Sequence, residues 1–129
     1  MVVDASAILA VLLKEEDAAS YNKKLSLDGR KFMCPFNALE ADMVITSRLG
    51  AAGKEKLDRH LFYSEVEIIP FTSGMQTLAY DAWLKFGKGH HKAKLNMGDC
   101  CAYATAKALN EPLLFKGGDF SLTDIESVL

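Results

Sequence analysis

Four acids stand where a carboxylate can do chemistry: Asp4, Glu40, Asp99 and Asp119. Asp4 ends the apolar run Met1-Val2-Val3 and precedes a second apolar stretch from Ala5 to Leu13. A carboxylate wedged between two such runs is costly if buried and unpaired, so it needs a cation, a set of donors or solvent. Glu40 and Asp99 each follow an asparagine, Asn37 or Asn96, at the spacing of a capping box. Acids in a first helical turn are also favoured by the helix dipole. Asp119 follows Gly117-Gly118, which is ordinary turn chemistry. Each acid thus has a structural reading of its own. Gathered in one place, however, the carboxylates would repel unless cations neutralised them, and hard oxygen ligands select Mg²⁺ or Mn²⁺.

The elements that must position these acids alternate in type. Met1 to Val3, Lys31 to Cys34, Val66 to Ile69 and Leu113 to Phe115 read as short buried strands, with a further short strand near Ser127 to Leu129. Helices are expected over Ala5 to Leu13, Glu15 to Leu27, Asn37 to Leu49, Lys54 to Tyr63, Ser73 to Phe86 and Asn96 to Asn110. Gly50 and Gly53 break the third from the fourth. In the helix from Ser73, the spacing of Met75, Leu78, Ala79, Ala82, Trp83 and Phe86 predicts one buried face. Buried strands joined by helical crossovers mean an α/β fold with a parallel sheet of four to five strands covered on both faces. Ligands of such sheets bind beyond the carboxyl ends of the strands. There Asp4, Asp99 and Asp119 can converge.

The chain of 129 residues is sized for one domain, residues 1–129. Half its residues are hydrophobic and a quarter charged, which rules out disorder. Fifteen basic against seventeen acidic residues give a net charge of −2, unlike a general nucleic-acid coat protein. Setting the four acids aside, the remainder carries +2. The run Ala5 to Leu13 lacks a preceding Lys or Arg and a small-residue cleavage site, so it reads as a buried helix rather than a signal peptide. No stretch is apolar for about 18 residues, so no membrane span is expected. Cys34, Cys100 and Cys101 are odd in number and lack zinc spacing, consistent with reduced thiols in a cytoplasmic protein.

The motifs Val2-Val3-Asp4-Ala5-Ser6-Ala7, Glu40, Leu95-Asn96-Met97-Gly98-Asp99-Cys100 and Leu114-Phe115-Lys116-Gly117-Gly118-Asp119-Phe120 resemble those of PIN-domain ribonucleases. The likeness is to the VapC-type toxins of VapBC toxin–antitoxin pairs, and Thr123-Asp124 continues it. It covers nearly the whole chain, in order. It implies a three-layer α/β/α sandwich and a catalytic pocket of Asp4, Glu40, Asp99 and Asp119. Within the pocket, Asp4, Asp99 and Asp119 are the expected ligands of Mg²⁺, with Mn²⁺ as the alternative. The reaction implied is endonucleolytic hydrolysis of RNA, leaving a 5′-phosphate and a 3′-hydroxyl. Ser6 is placed beside the first acid, to orient it or a metal-bound water, or to cap the first helix; Asn96 is placed as a second partner of the acids or as a cap. Asp124 is peripheral, with helix capping as its expected task. The implied partners are an RNA substrate, with tRNA as the family-level expectation, a VapB-like antitoxin and a second copy of the chain.

A basic rim is expected around an acidic pocket that takes RNA. Lys85, Lys88, Lys92 and Lys94, with His90 and His91, form a run without an acid, made mobile by Gly87 and Gly89. Lys88, Lys92, Lys94 and Lys116 are the candidate phosphate contacts; a solvated loop is the ordinary alternative. Other readings compete. A haloacid-dehalogenase-type phosphatase would need an acid where Ser6 stands, and a receiver domain would need one after the third strand, which ends in Ile69-Pro70. The Gly117-Gly118-Asp119-Phe120 match to diguanylate cyclases is four letters long. A non-catalytic PIN-fold scaffold also remains open at this level.

Overall fold

The apolar runs become a four-stranded parallel sheet in the computed structural model, which describes residues 1–129. In chain order the elements are β1 (Val2–Val3), α1 (Ala5–Leu12), α2 (Ala18–Leu25), β2 (Lys31–Met33), α3 (Pro35–Tyr63), β3 (Val66–Ile68), α4 (Ser73–Phe86), α5 (Met97–Leu109) and β4 (Leu113–Leu114), followed by a 3-10 turn over Phe120–Leu122. The sheet order is β3-β2-β1-β4. Val2 and Val3 pair with Leu113 and Leu114 on one side, and Val2 pairs with Phe32 on the other. The chain therefore steps outward from β1 to β3 and returns to add β4 on β1's free side. The crevice between β1 and β4 is the point where strand order reverses, which is where such sheets bind ligands. The expected last strand is a single parallel bridge, Leu113 to Ser127.

Two apolar layers cover the sheet. One is built on Val3, Ile8, Leu12, Leu25, Met33, Ile45, Leu57 and Leu114. The other is built on Val2, Ala102, Leu95, Leu113, Phe115 and Phe120. Ile8 and Leu12 of α1 lie in the first layer, with Leu9, Val11 and Leu13 partly covered, so the apolar first helix serves the core.

Several local expectations are corrected. The helix expected from Asn37 starts at Pro35, because proline fits the first helical turn and the preceding Cys34 is extended. Asn37 is thereby moved inside the helix, and the Asn37–Glu40 capping box does not form. Only Gly50 interrupts α3, at φ 69° and ψ −161°. Gly53 is helical and buried; a Cβ there would lie 2.6 Å from Leu49 Cβ, so it is needed for close approach rather than as a breaker. The second helix begins at Ala18, not Glu15, after Lys14 adopts φ 54°. β3 is not a buried strand: it is the sheet edge, with Glu67 and Ile68 exposed. On α4, Met75 and Ala82 are buried, but Trp83 is exposed. The segment expected to be a mobile loop, Gly87 to Leu95, is tied across its mouth by Lys88 N–H to Leu95 O and Leu95 N–H to Phe86 O, and it buries Ala93 and Leu95.

Candidate active site

Asp4 leaves the end of β1, where its backbone N–H donates to Leu114 O of β4. The carboxylate is only 5% exposed. It caps α1: Oδ2 accepts from Ser6 N–H at 3.0 Å and from the Ser6 hydroxyl. Ser6 Oγ in turn accepts from Lys116 N–H at 2.9 Å, just beyond β4. Ser6 thus hydrogen-bonds Asp4 and ties it to the neighbouring strand, while Asp4 itself is the cap of α1. No Lys or Arg pairs with Asp4. Burial pushes its pKa up, the Ser6 donors oppose this, and the charge of Glu40 raises it further.

Asp99 sits at the start of α5 in a complete capping box. Its N–H donates to Asn96 Oδ1 at 2.8 Å, and its Oδ2 accepts from Asn96 N–H at 3.0 Å. Asn96 therefore acts as the cap that holds Asp99 in place. Burial pushes the Asp99 carboxyl up to about 6; the Asn96 N–H opposes the rise, and the charges of Asp4 and Asp119 add to it. Glu40 reaches in from α3, raised by partial burial and by Asp99. Asp119 is exposed, in the turn that follows β4. The four predicted acids therefore feel one another's charge from four different elements. No three acid, thiol or imidazole groups converge on one point at ligating distance.

Asn37 is the residue that sequence reasoning misplaced. It is fully buried in α3, and its Nδ2 donates to Gly98 O at 3.1 Å, tying α3 to α5 beside Asp99. Its Oδ1 has no partner. Pro35, two residues earlier, was the signal that placed it inside the helix. Gly98 is where the parts meet: a Cβ there would lie 3.3 Å from Glu40 Oε1 and 3.5 Å from Asn96 Oδ1.

Three candidates are committed elsewhere. Lys116 Nζ pairs with Glu15 and with Asp17, the latter at 2.8 Å, and both hold its pKa above the ordinary lysine value. It fastens the α1–α2 corner to the end of β4, so a phosphate would have to compete with Glu15 and Asp17 for it. Asp124 caps no helix: it accepts from Tyr103 OH at 2.6 Å and from Lys107 Nζ at 3.1 Å, which keep its pKa low. His90 and His91 pack edge-on against Trp83 and Phe86 rather than against each other as a metal pair. Lys88, Lys92 and Lys94 are exposed, on the segment that leads into Asn96.

A parallel α/β sheet with acids at its reversal point is the arrangement of a PIN domain, and it is the family model that identifies it: residues 1–126 match the PIN domain model. The ribonuclease VapC30 of Mycobacterium tuberculosis is 39% identical over 99% of this chain and 98% of its own length. The chain belongs to the PIN domain family, within its VapC ribonucleases. The fold agrees with that of the VapC20 toxin of M. tuberculosis, described as cleaving the sarcin–ricin loop, at a TM-score of 0.81 and 14% identity, covering 98% of this chain and 97% of that one. It also agrees with VapBC2 of Rickettsia felis bound to a DNA fragment from its promoter, at a TM-score of 0.76 and 16% identity, covering 98% and 94%. No helix is long and apolar enough to cross a membrane.

Proposed function

We propose that the chain is the toxin of a toxin–antitoxin pair, an endoribonuclease that cuts RNA at Asp4, Glu40, Asp99 and Asp119 with the help of Mg²⁺. One observation carries this reading: a buried Asp4 without a cationic partner stands beside an Asp99 whose pKa is pushed up to about 6. Fold stability does not require such a cluster; a bound cation would relieve it. Carboxylate oxygens are the donors a hard divalent ion takes, and Asp4, Asp99 and Asp119 would hold it. Such an ion supplies Lewis acidity, a lowered water pKa and charge neutralisation on the phosphodiester. Asp4 and Asp99 each have Oδ2 engaged by a local donor. Single oxygens from two carboxylates suit Mg²⁺, which keeps several waters, better than Ca²⁺.

The chain's own residues then divide the work. Ser6 and Asn96 hold the buried Asp4 and the half-buried Asp99 in place. Glu40 closes the pocket from α3. Asp119 lies on the open side, where a phosphodiester enters. A VapB-like antitoxin and a second copy of the chain complete the proposed assembly; Leu39, Met43 and Met97, at 54%, 62% and 78% exposure, are apolar surface that such partners would bury. The cytoplasm is the proposed compartment, in keeping with three free cysteines.

Controlled expression of wild type and Asp99→Asn, followed by sequencing of RNA ends, tests the proposal. New 5′-phosphate ends are expected only with wild type, at a common site. Identical ends from both, with the variant folded, would refute it. The exposed lysines have their own test. Replacing Lys88, Lys92 and Lys94 with Ala is expected to weaken RNA binding and to reduce its log–log salt slope by about 2, at ~0.7 per lost single-strand phosphate contact. An unchanged slope would return these lysines to the solvated surface.

A further inference from the structure

Asn37 carries a cost that the fold alone does not explain. It is fully buried at the third residue of α3, although asparagine is a poor helix former and a buried carboxamide needs partners. Its Oδ1 has none; His60 Nε2 is the other side-chain atom buried in that way. An apolar residue of the same volume would fill the position without that cost. What the carboxamide provides is a joint between two helices. Nδ2 donates to Gly98 O at 3.1 Å, and Gly98 directly precedes Asp99 in the first turn of α5. Glu40 stands three residues after Asn37 on α3, the spacing that puts two side chains on one helix face.

Both side chains close around Gly98. A Cβ there would lie 3.3 Å from Glu40 Oε1 and 3.8 Å from Asn37 Nδ2. An amide nitrogen has two hydrogens; Gly98 O takes one, and the second is available to the neighbouring carboxylate. Burial and the charge of Asp99 push the Glu40 carboxyl up, and the Asn37 side chain opposes them. Glu40 and Asp99 repel each other across the gap between α3 and α5. No lysine or arginine pairs with either, so their separation must be held by something neutral. The geometry points to Asn37 as a positioning residue: its amide fixes Glu40 on one side and the turn that carries Asp99 on the other, setting the two carboxylates at one separation. This rests on the nuclease reading and adds a residue to it. Asn37 touches neither RNA nor ion; it acts only through the acids it spaces.

Asn37→Leu keeps the volume and removes the amide. Gly98 O, in a first helical turn, still accepts from the N–H four residues on, so the variant is expected to fold. Its kcat on a labelled RNA is expected to fall about ten- to hundredfold, with KM changed by less than about threefold. In a Glu40→Gln background the same substitution is expected to cost no more than about twofold, because no pair of carboxylates is left to space. Urea unfolding in EDTA of wild type, both single variants and the double variant gives a second cycle that needs no cleavage. There the two substitutions are expected to be non-additive by about threefold or more in the unfolding constant. A leucine variant with wild-type kcat, a loss of equal size with and without Glu40, or a loss that lies wholly in the folded fraction overturns the assignment. Asn37→Ser keeps a donor on a shorter arm; its kcat is expected to fall between those of wild type and the leucine variant, and it carries both cycles if the leucine variant does not fold. If wild type cuts no RNA with Mg²⁺, the nuclease reading falls, and the urea cycle alone decides the joint: additive substitutions overturn it, non-additive ones keep it.

Discussion

Asp99→Asn is expected to lower RNA cleavage by on the order of a thousandfold and, at the same time, to stabilise the metal-free protein at neutral pH. The second half follows from linkage. Asp99 titrates at about 6 in the folded chain, against 3.8 as its ordinary value. Between those values the folded state keeps a proton that the unfolded state has released. Stability therefore declines as pH rises through this window, and above it the penalty is complete. Asparagine has no proton to lose and still offers an oxygen to Asn96 N–H, so the capping box survives. Because Asp99 is partly solvent-facing, the gain is about 1 kcal/mol, or ~4 °C in Tm at pH 7.5, vanishing near pH 4. Thermal melts at the two pH values and cleavage of a labelled RNA check this. A folded variant that cuts at the wild-type rate, or melts lower at pH 7.5, would remove Asp99 from the site.

The second large effect is that of the ion itself on stability. A divalent cation at about a hundred times its Kd adds about 2.7 kcal/mol, or on the order of 10 °C for a domain of this size. At pH 7.5 wild type should show this gain with Mg²⁺ and lose it on adding EDTA. At pH 5 the gain should fall by more than half, because protons occupy Asp99 and compete at Asp4, whose pKa is also raised. Asp99→Asn should lose most of it at either pH. Differential scanning fluorimetry with and without Mg²⁺ reads all three. An equal gain at both pH values, or in the variant, would place the ion elsewhere on the molecule.

The acids were legible in the sequence because each punctuates an element. Asp4 interrupts an apolar run, and Asp99 follows a helix-starting asparagine at capping distance. Such positions are fixed by chain-local rules, and the parallel sheet brings them to one edge. What local rules did not reveal was contact across the fold. Asn37 matched a cap by spacing, but Pro35 moved the helix start and sent its side chain to Gly98, 61 residues away. Lys116 lay next to the Asp119 motif, yet its partners are Glu15 and Asp17, about a hundred residues distant in sequence. Trp83 fitted an amphipathic stripe by periodicity, which says nothing of whether the far side is core or cleft. The sheet's edge strand misled for a similar reason: Val66-Glu67-Ile68-Ile69 reads as apolar, but β2 alone flanks it.

The placement of β1 between β2 and β4 bears on synthesis as well as on structure. Asp4 is made well before the residue that anchors it: the Ser6 hydroxyl that steadies it accepts from Lys116 N–H, 110 residues later. Contacts of such separation form late and slowly. A chain emerging from the ribosome thus carries its first acid long before β4, Lys116 and Asp119 can join it. The nascent polypeptide is disarmed by its own topology: the proposed centre cannot be assembled until β4 and the Asp119 turn have been made.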